Sequence, residues 1–291
     1  MNQTLNNNNI SVPVSEKGGF LLSVKNSQNT EYMWQGDSRY WSGRGFHIFP
    51  YVGRLTNETY TLEGKEYHMG IHGLLLDAFL TCVEKDSTSL ELKFESNEET
   101  KIKYPYHFSY SIKLFVHDNS LTLKYDVCNK DTKKMYFGIG AHPAFNVPIE
   151  SGESFQDYLL QFEKGIQPQR INMTDDCFVA GGYTPYKFSP DCRIKLQHEL
   201  FDNDAIVLHN AGNKVSLCNG KGVCRVCLEY EGFEYLMLWA MPHTDAPYVC
   251  IEPVSSMCAR KGVVEDFAAQ KDLLSLNPEE HYKCSVKITF N

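Results

Sequence analysis

Period-two alternation of apolar and polar side chains constrains this chain more than any other feature. Leu90-Glu91-Leu92-Lys93-Phe94, Ser111-Ile112-Lys113-Leu114, Leu121-Thr122-Leu123-Lys124-Tyr125-Asp126-Val127 and Ser285-Val286-Lys287-Ile288-Thr289-Phe290 all carry it. Alternate residues of an extended chain point to opposite faces, so each run predicts a strand with one buried face. Turn-forming pairs punctuate the runs: Glu63-Gly64, Asp118-Asn119, Asn129-Lys130-Asp131 and Asn219-Gly220. Tyr60-Thr61-Leu62 and Glu66-Tyr67-His68, joined through Glu63-Gly64-Lys65, predict a hairpin. Helical periodicity is scarce, with short candidates at 264–270 and 278–281. Many strands without alternating long helices favour an all-β sandwich or barrel over an α/β fold.

The 291 residues show no fixed-period repeat and no linker-like break, which favours one domain over 1–291. A net charge of -8 argues against nucleic acid or an anionic membrane as the main partner. No apolar run approaches the ~18 residues of a membrane span. Asparagine-rich Met1–Ile10 lacks the basic start and apolar centre of a signal peptide and reads as a frayed tail. The ten cysteines then read as reduced thiols of a cytoplasmic protein. Cys224-Arg225-Val226-Cys227 has redox or zinc spacing, but within a strand its two thiols would face opposite ways, so a structural role is expected.

Three segments stand apart from the strand background. The first runs from Phe49-Pro50 through Gly53-Arg54-Leu55-Thr56-Asn57 to Gly70-Ile71-His72-Gly73, with Arg54 and Asn57 able to bind hydroxyls and His72 at a strand end. In the second, Met135-Tyr136-Phe137 leads into Gly138-Ile139-Gly140-Ala141-His142-Pro143-Ala144-Phe145. There Pro143 biases His142 toward an extended conformation at the mouth of a sheet. Its glycines do not complete a dinucleotide-binding loop, because Pro143 stands where the third glycine belongs and no helix follows. In the third, Ala246-Pro247-Tyr248-Val249-Cys250-Ile251-Glu252-Pro253, an apolar strand ends on a carboxylate. A buried carboxylate without a partner is costly, so Glu252 is expected to be paired or used. Tyr235–Met241 reads as a central strand, and Asp204 sits at the polar edge of another.

Two histidines, a glutamate, an aspartate and an arginine suit sugar hydroxyls. Charged side chains fix hydroxyl orientation, aromatics cover pyranose faces, and a glutamate with a histidine makes a proton-transfer pair near neutral pH. These residue types alone leave sugar isomerisation, sugar binding without turnover and metal ligation open. The metal reading is an isomerase of barrel type with His68, His72, His142 and Glu252 as ligands.

The ordered set of motifs resembles the aldose 1-epimerases, the galactose mutarotase-like proteins, and in particular a bacterial mutarotase-related branch. The matching elements are Phe49-Pro50, Gly53-Arg54-Leu55 with Asn57, the 60–67 hairpin, Ile71-His72-Gly73, Gly140-Ala141-His142-Pro143-Ala144-Phe145, Asp204-Ala205 and Cys250-Ile251-Glu252-Pro253. The resemblance implies a large β-sandwich of the galactose mutarotase type with a sugar in a cleft on its concave face. It also implies a small-molecule hexose as partner, no cofactor and no metal. Glu252 is then the base at the anomeric hydroxyl, His142 the acid at the ring oxygen and His72 a hydrogen-bonding partner, while Arg54, Asp204 and Asn57 hold ring hydroxyls. The chain departs from the family pattern in three places. Leu74-Leu75-Leu76-Asp77 lacks an expected arginine, Gly43-Arg44-Gly45-Phe46-His47 replaces a more apolar lead-in and offers Arg44 or His47 instead, and Val254 stands where a tryptophan is expected.

Overall fold

The computed structural model describes residues 1–291, and the chain is built almost entirely of antiparallel strands. Two sheets dominate, one of nine strands and one of eight. The predicted alternations form the centre of the nine-stranded sheet. Phe108–His117, Ser120–Asn129 and His281–Phe290 lie side by side, with Leu121, Leu123, Tyr125 and Val127 buried on one face. The eight-stranded sheet holds Ile206–His209, Tyr235–Trp239, Tyr248–Val254, Gly140–His142 and Phe46–Ile48 in that lateral order. Strands from both sheets contribute to a single apolar cluster of 70 buried residues that runs in sequence from Leu5 to Phe290.

A second cluster of ten residues lies on the other face of the eight-stranded sheet. It contains Phe46, Ile48, Val207, Tyr235, Met237 and Val254. This sheet is therefore covered on both faces, and its strands carry nearly continuous apolar sequence instead of alternation. Tyr248–Val254 is buried at every position.

The expected hairpin forms. Thr59–Leu62 pairs with Lys65–His68 around Glu63 and Gly64, which both have positive φ, 52° and 75°. That is the backbone a tight two-residue turn between twisted strands needs. Its inner aromatic, Tyr60, stacks on Phe267 at 3.7 Å between ring centroids.

Several local expectations are corrected. The N-terminal segment is not a frayed tail: Asn2–Asn6 pairs with Ile10–Ser15, and Leu5 is fully buried. The asparagines make the turn between them, with Asn7 Oδ1 accepting from the backbone N–H groups of Asn9 and Ile10 at 2.8 and 2.9 Å. Neither short helix at 264–270 or 278–281 exists. Glu265–Asp266 pairs in parallel with Tyr60 and Thr61, and His281 opens the last strand. The α-helix Glu98–Lys103 lies elsewhere, started by a capping box in which Asn97 Oδ1 accepts from Thr100 N–H and Thr100 Oγ1 accepts from Asn97 N–H.

The cysteines also need correction, since Cys218 and Cys224 form a disulfide. They face each other across the hairpin of Lys214–Cys218 and Cys224–Glu231. The turn is organised by Asn219 Oδ1, which accepts from Lys221 and Val223 N–H, both at 3.1 Å. The partner of Cys224 is thus the residue across the turn and not Cys227, which is free along with the other seven. No helix is long and apolar enough to cross a membrane.

Candidate active site

The register of the eight-stranded sheet brings the second and third sequence segments together. Gly140 lies opposite Val254 and Ala144 opposite Cys250, which sets His142 directly across from Glu252. Pro143 takes part without an N–H of its own, since its carbonyl accepts from Ile251 N–H at 3.2 Å. His142 Nε2 and Glu252 Oε2 meet at 3.2 Å. Both residues are deeply buried, at 5% and 1% exposure, yet both line a cleft of about 580 Å³. That volume falls in the ~300–1,000 Å³ range of small-molecule sites.

Burial acts on the two groups in opposite directions. It raises the Glu252 carboxyl well above its ordinary range, with the nearby Asp204 charge adding to the effect. It lowers the His142 imidazole well below its ordinary range, with His72 as the next contributor. Loss of water disfavours the charged form of each, so the pair holds a single proton between carboxyl and imidazole.

The first segment supplies the third histidine through an unusual backbone. His72 has φ 61° and Gly73 φ 83°. A side chain at position 73 would collide with the Phe49 carbonyl, so only glycine fits there. Two hydrogen bonds clamp this turn to the Gly53 loop: His72 N–H donates to the Gly53 carbonyl at 2.9 Å, and Gly53 N–H donates to His72 Nδ1 at 3.2 Å. Because Nδ1 accepts, the proton of a neutral ring sits on Nε2. Enclosure of this ring by protein, followed by the Arg54 charge, pushes its pKa down to about 3, so it is neutral over the working pH range. The His72 and His142 ring centroids are 5.5 Å apart.

Arg54 and Asp204 also line the cleft. Arg54 is an exposed residue whose Nη1 donates to the Asp176 carbonyl at 3.3 Å. Asp204 has φ 63° and accepts from Ala205 N–H at 2.8 Å through Oδ1, which leaves Oδ2 for another donor. Asn57 does not join them. It is exposed, lies outside the lining residues and adopts a left-handed conformation (φ 54°, ψ 29°) in the Thr56–Glu58 turn. The Asn side chain tolerates that backbone, and this turn chemistry produced the motif that looked like a sugar ligand.

His68 is also remote. Its side chain is 70% exposed beside Glu66, so the four-ligand isomerase set does not assemble. Three metal-capable donors do converge: one ring nitrogen of His142, Cys250 Sγ and a Glu252 carboxylate oxygen lie within 4.8 Å of one another.

Sequence reasoning missed the aromatic walls. Trp41, Phe46 and Trp239 line the cleft, with Phe46 stacked on the His142 ring at 4.3 Å and Trp41 5.3 Å from it. Trp239 stands two places from Met237, which lies opposite Glu252, a register that the sequence does not display. Gly43, having no side chain, leaves the room that the Trp41 indole occupies. Val254 packs under Gly140, where an added Cβ would come within 2.8 Å of its Cγ1. Of the two substitutes proposed for the absent arginine, Arg44 reaches the cleft and His47 does not. His47 points into the core, bonded to Tyr125 Oη at 2.9 Å and the Gly19 carbonyl at 3.0 Å.

Comparison with known proteins agrees with this geometry. The aldose 1-epimerase family model matches residues 1–289. The chromosomal LacX protein of Lactococcus lactis subsp. lactis is 28% identical over 271 residues, covering 87% of each chain. Among solved structures, the galactose mutarotase related enzyme of Lactobacillus acidophilus aligns with a TM-score of 0.91 at 30% identity, over 100% of this chain and 97% of that one. A galactose mutarotase-like protein from Lactobacillus casei aligns with a TM-score of 0.94 at 27% identity over the whole of both chains. A β-sandwich of mutarotase type, with a histidine and a glutamate meeting in a cleft and a family match along nearly its full length, makes this chain a member of the aldose 1-epimerase family.

Proposed function

We propose that the protein is an aldose 1-epimerase that interconverts the α and β anomers of a free hexose. The observation that carries this reading is the 3.2 Å approach of His142 Nε2 to Glu252 Oε2 on the floor of an aromatic-walled cleft. Anomer exchange acts on two oxygens bonded to the same carbon, the anomeric hydroxyl and the ring oxygen. An acid and a base that touch one another can reach both.

A sugar entering the pair replaces their mutual hydrogen bond with two of its own, and its hydroxyls favour the charged arrangement, carboxylate and imidazolium. Glu252 then takes the proton from the anomeric hydroxyl while His142 gives one to the ring oxygen, and the C1–ring-oxygen bond breaks to leave the open aldehyde. Rotation about C1–C2 presents the other carbonyl face. On closure the ring hydroxyl returns its proton to His142 and Glu252 returns one to the new anomeric oxygen. Atoms and charge balance, nothing is oxidised or reduced, and the pair regains its single proton. His72, neutral with its proton on Nε2, donates to a sugar oxygen beside C1. Asp204 and Arg54 hold hydroxyls further round the ring, and Trp41 and Trp239 cover its apolar faces. The same reading takes residues 1–291 as one domain, in line with a core cluster drawn from Leu5 to Phe290.

Polarimetry of freshly dissolved α-glucose or α-galactose tests the proposal. Catalysed decay of rotation, proportional to protein concentration, is expected. A spontaneous rate with every free aldose would overturn it, and sugar binding without exchange would leave a carbohydrate-binding or sensing protein on the same fold.

A further inference from the structure

Cys250 has no task in this chemistry, yet it is fully buried beside the two residues that do. It precedes Glu252 by two places on one strand, so both side chains project from the same face. The register that puts Ala144 opposite Cys250 swings His142 toward both. The result is a thiol, an imidazole and a carboxylate with donor atoms within 4.8 Å of one another, each on a residue no more than 5% exposed. His142 Nδ1 is buried without a hydrogen-bond partner, so no protein bond fixes which ring nitrogen carries the proton.

We propose that His142, Cys250 and Glu252 form a site for a thiophilic divalent cation, with Zn²⁺ the best match, and that its occupancy blocks the acid–base pair. One sulfur, one nitrogen and one carboxylate oxygen is a zinc donor set. It does not suit Mg²⁺ or Ca²⁺, which take shells of oxygen. Bonds of about 2.0–2.3 Å in a tetrahedral shell place donors roughly 3–4 Å apart. The observed group therefore closes by small rotations of Cys250 and Glu252 about their side-chain bonds. His142 and Glu252 line the cleft, which gives the cation its way in. Glu252 bound to a cation cannot accept the anomeric proton, so zinc acts as an inhibitor of the reaction and has no part in it. The inhibition rests on the proposed function, whereas the site itself does not.

Cobalt separates the two. Purified protein titrated with Co²⁺ should bind one equivalent and develop the near-ultraviolet charge-transfer absorption of a thiolate–cobalt bond, which Zn²⁺ then abolishes. Cys250→Ser, with the other cysteines intact, should lose that band and bind Co²⁺ at least about tenfold more weakly. Zinc inhibition of anomer exchange, referred to each variant's own metal-free rate, should shift by a similar factor. If serine at this site disturbs folding by circular dichroism, Cys250→Ala serves in its place. A band that persists in the variant would assign the thiolate to another cysteine and overturn the proposal, as would the absence of stoichiometric Co²⁺ binding by the wild type. A Cys250-dependent band in a protein that exchanges no sugar would uphold the site and remove the epimerase.

Discussion

The two faces of the strand Tyr248–Val254 are equally buried and do opposite work. Val249 and Ile251 face the main core with no polar atom to satisfy. On the other face Glu252 lies against His142 under a cleft, and Val254 belongs to the smaller cluster that floors it. Burial on the first face is a source of stability, worth about 1.5–3 kcal/mol for a side chain of this kind. On the second it is a cost, since it holds a carboxyl and an imidazole away from their ordinary ionisation. The difference teaches that a buried charge at the end of an apolar strand is sustained by its neighbours for a purpose other than holding the fold.

Substitutions on each face should separate these roles. His142→Asn should lower kcat by about two to four orders of magnitude, the scale for a lost general acid, with thermal stability little changed. Loss of stability without loss of kcat there would place His142 on the structural side of the comparison. Ile251→Ala should do the reverse: unfolding by urea should show a loss of about 2–5 kcal/mol, while the folded fraction keeps its kcat. Asp204→Asn removes a charged hydrogen-bond acceptor, so KM should rise about tenfold, equivalent to about 1.4 kcal/mol. The same change withdraws a charge that raises the Glu252 pKa, so the alkaline limb of the pH–rate profile should move to lower pH.

The smallest effect is expected along the pH axis of the wild type. Acid adds a second proton to the pair only as pH falls through the lowered pKa of His142, and alkali removes the shared one only as pH rises through the raised pKa of Glu252. His72, with a pKa near 3, stays neutral throughout. The profile of kcat/KM should therefore show no break near 6.5, the value of a free imidazole. An inflection there would mean that one histidine is solvated and that burial does not hold it neutral.

How much of this was legible in the sequence follows the same division. Half-buried strands announce themselves, so Leu121–Val127 and Ser285–Phe290 were readable from alternation alone. The doubly buried sheet has no alternation, but its interruptions were informative: a glutamate in an apolar run at 252 and a histidine held by Pro143. What pairs them is register, and no local pattern states that Ala144 lies opposite Cys250. Turns were the main source of error, because Asn, Gly and Cys serve several ends. Asn7 and Asn57 were read as tail and ligand but shape turns. Cys224 was weighed against Cys227 along the chain, when its partner lay across a hairpin at Cys218. Trp239 escaped notice because a tryptophan in an apolar strand looks the same whether it faces a core or a cleft, and Trp41 because it stands in a polar loop, Asp37-Ser38-Arg39-Tyr40-Trp41-Ser42-Gly43, that no strand pattern places.

The most direct measurement is anomer exchange of glucose or galactose by magnetisation-transfer NMR, with wild-type protein and Glu252→Gln side by side. Glutamine keeps the shape of the residue and cannot take a proton. The account predicts rapid exchange with the wild type and a rate lower by about two to four orders of magnitude with the folded variant. Equal exchange rates for the two proteins would contradict it.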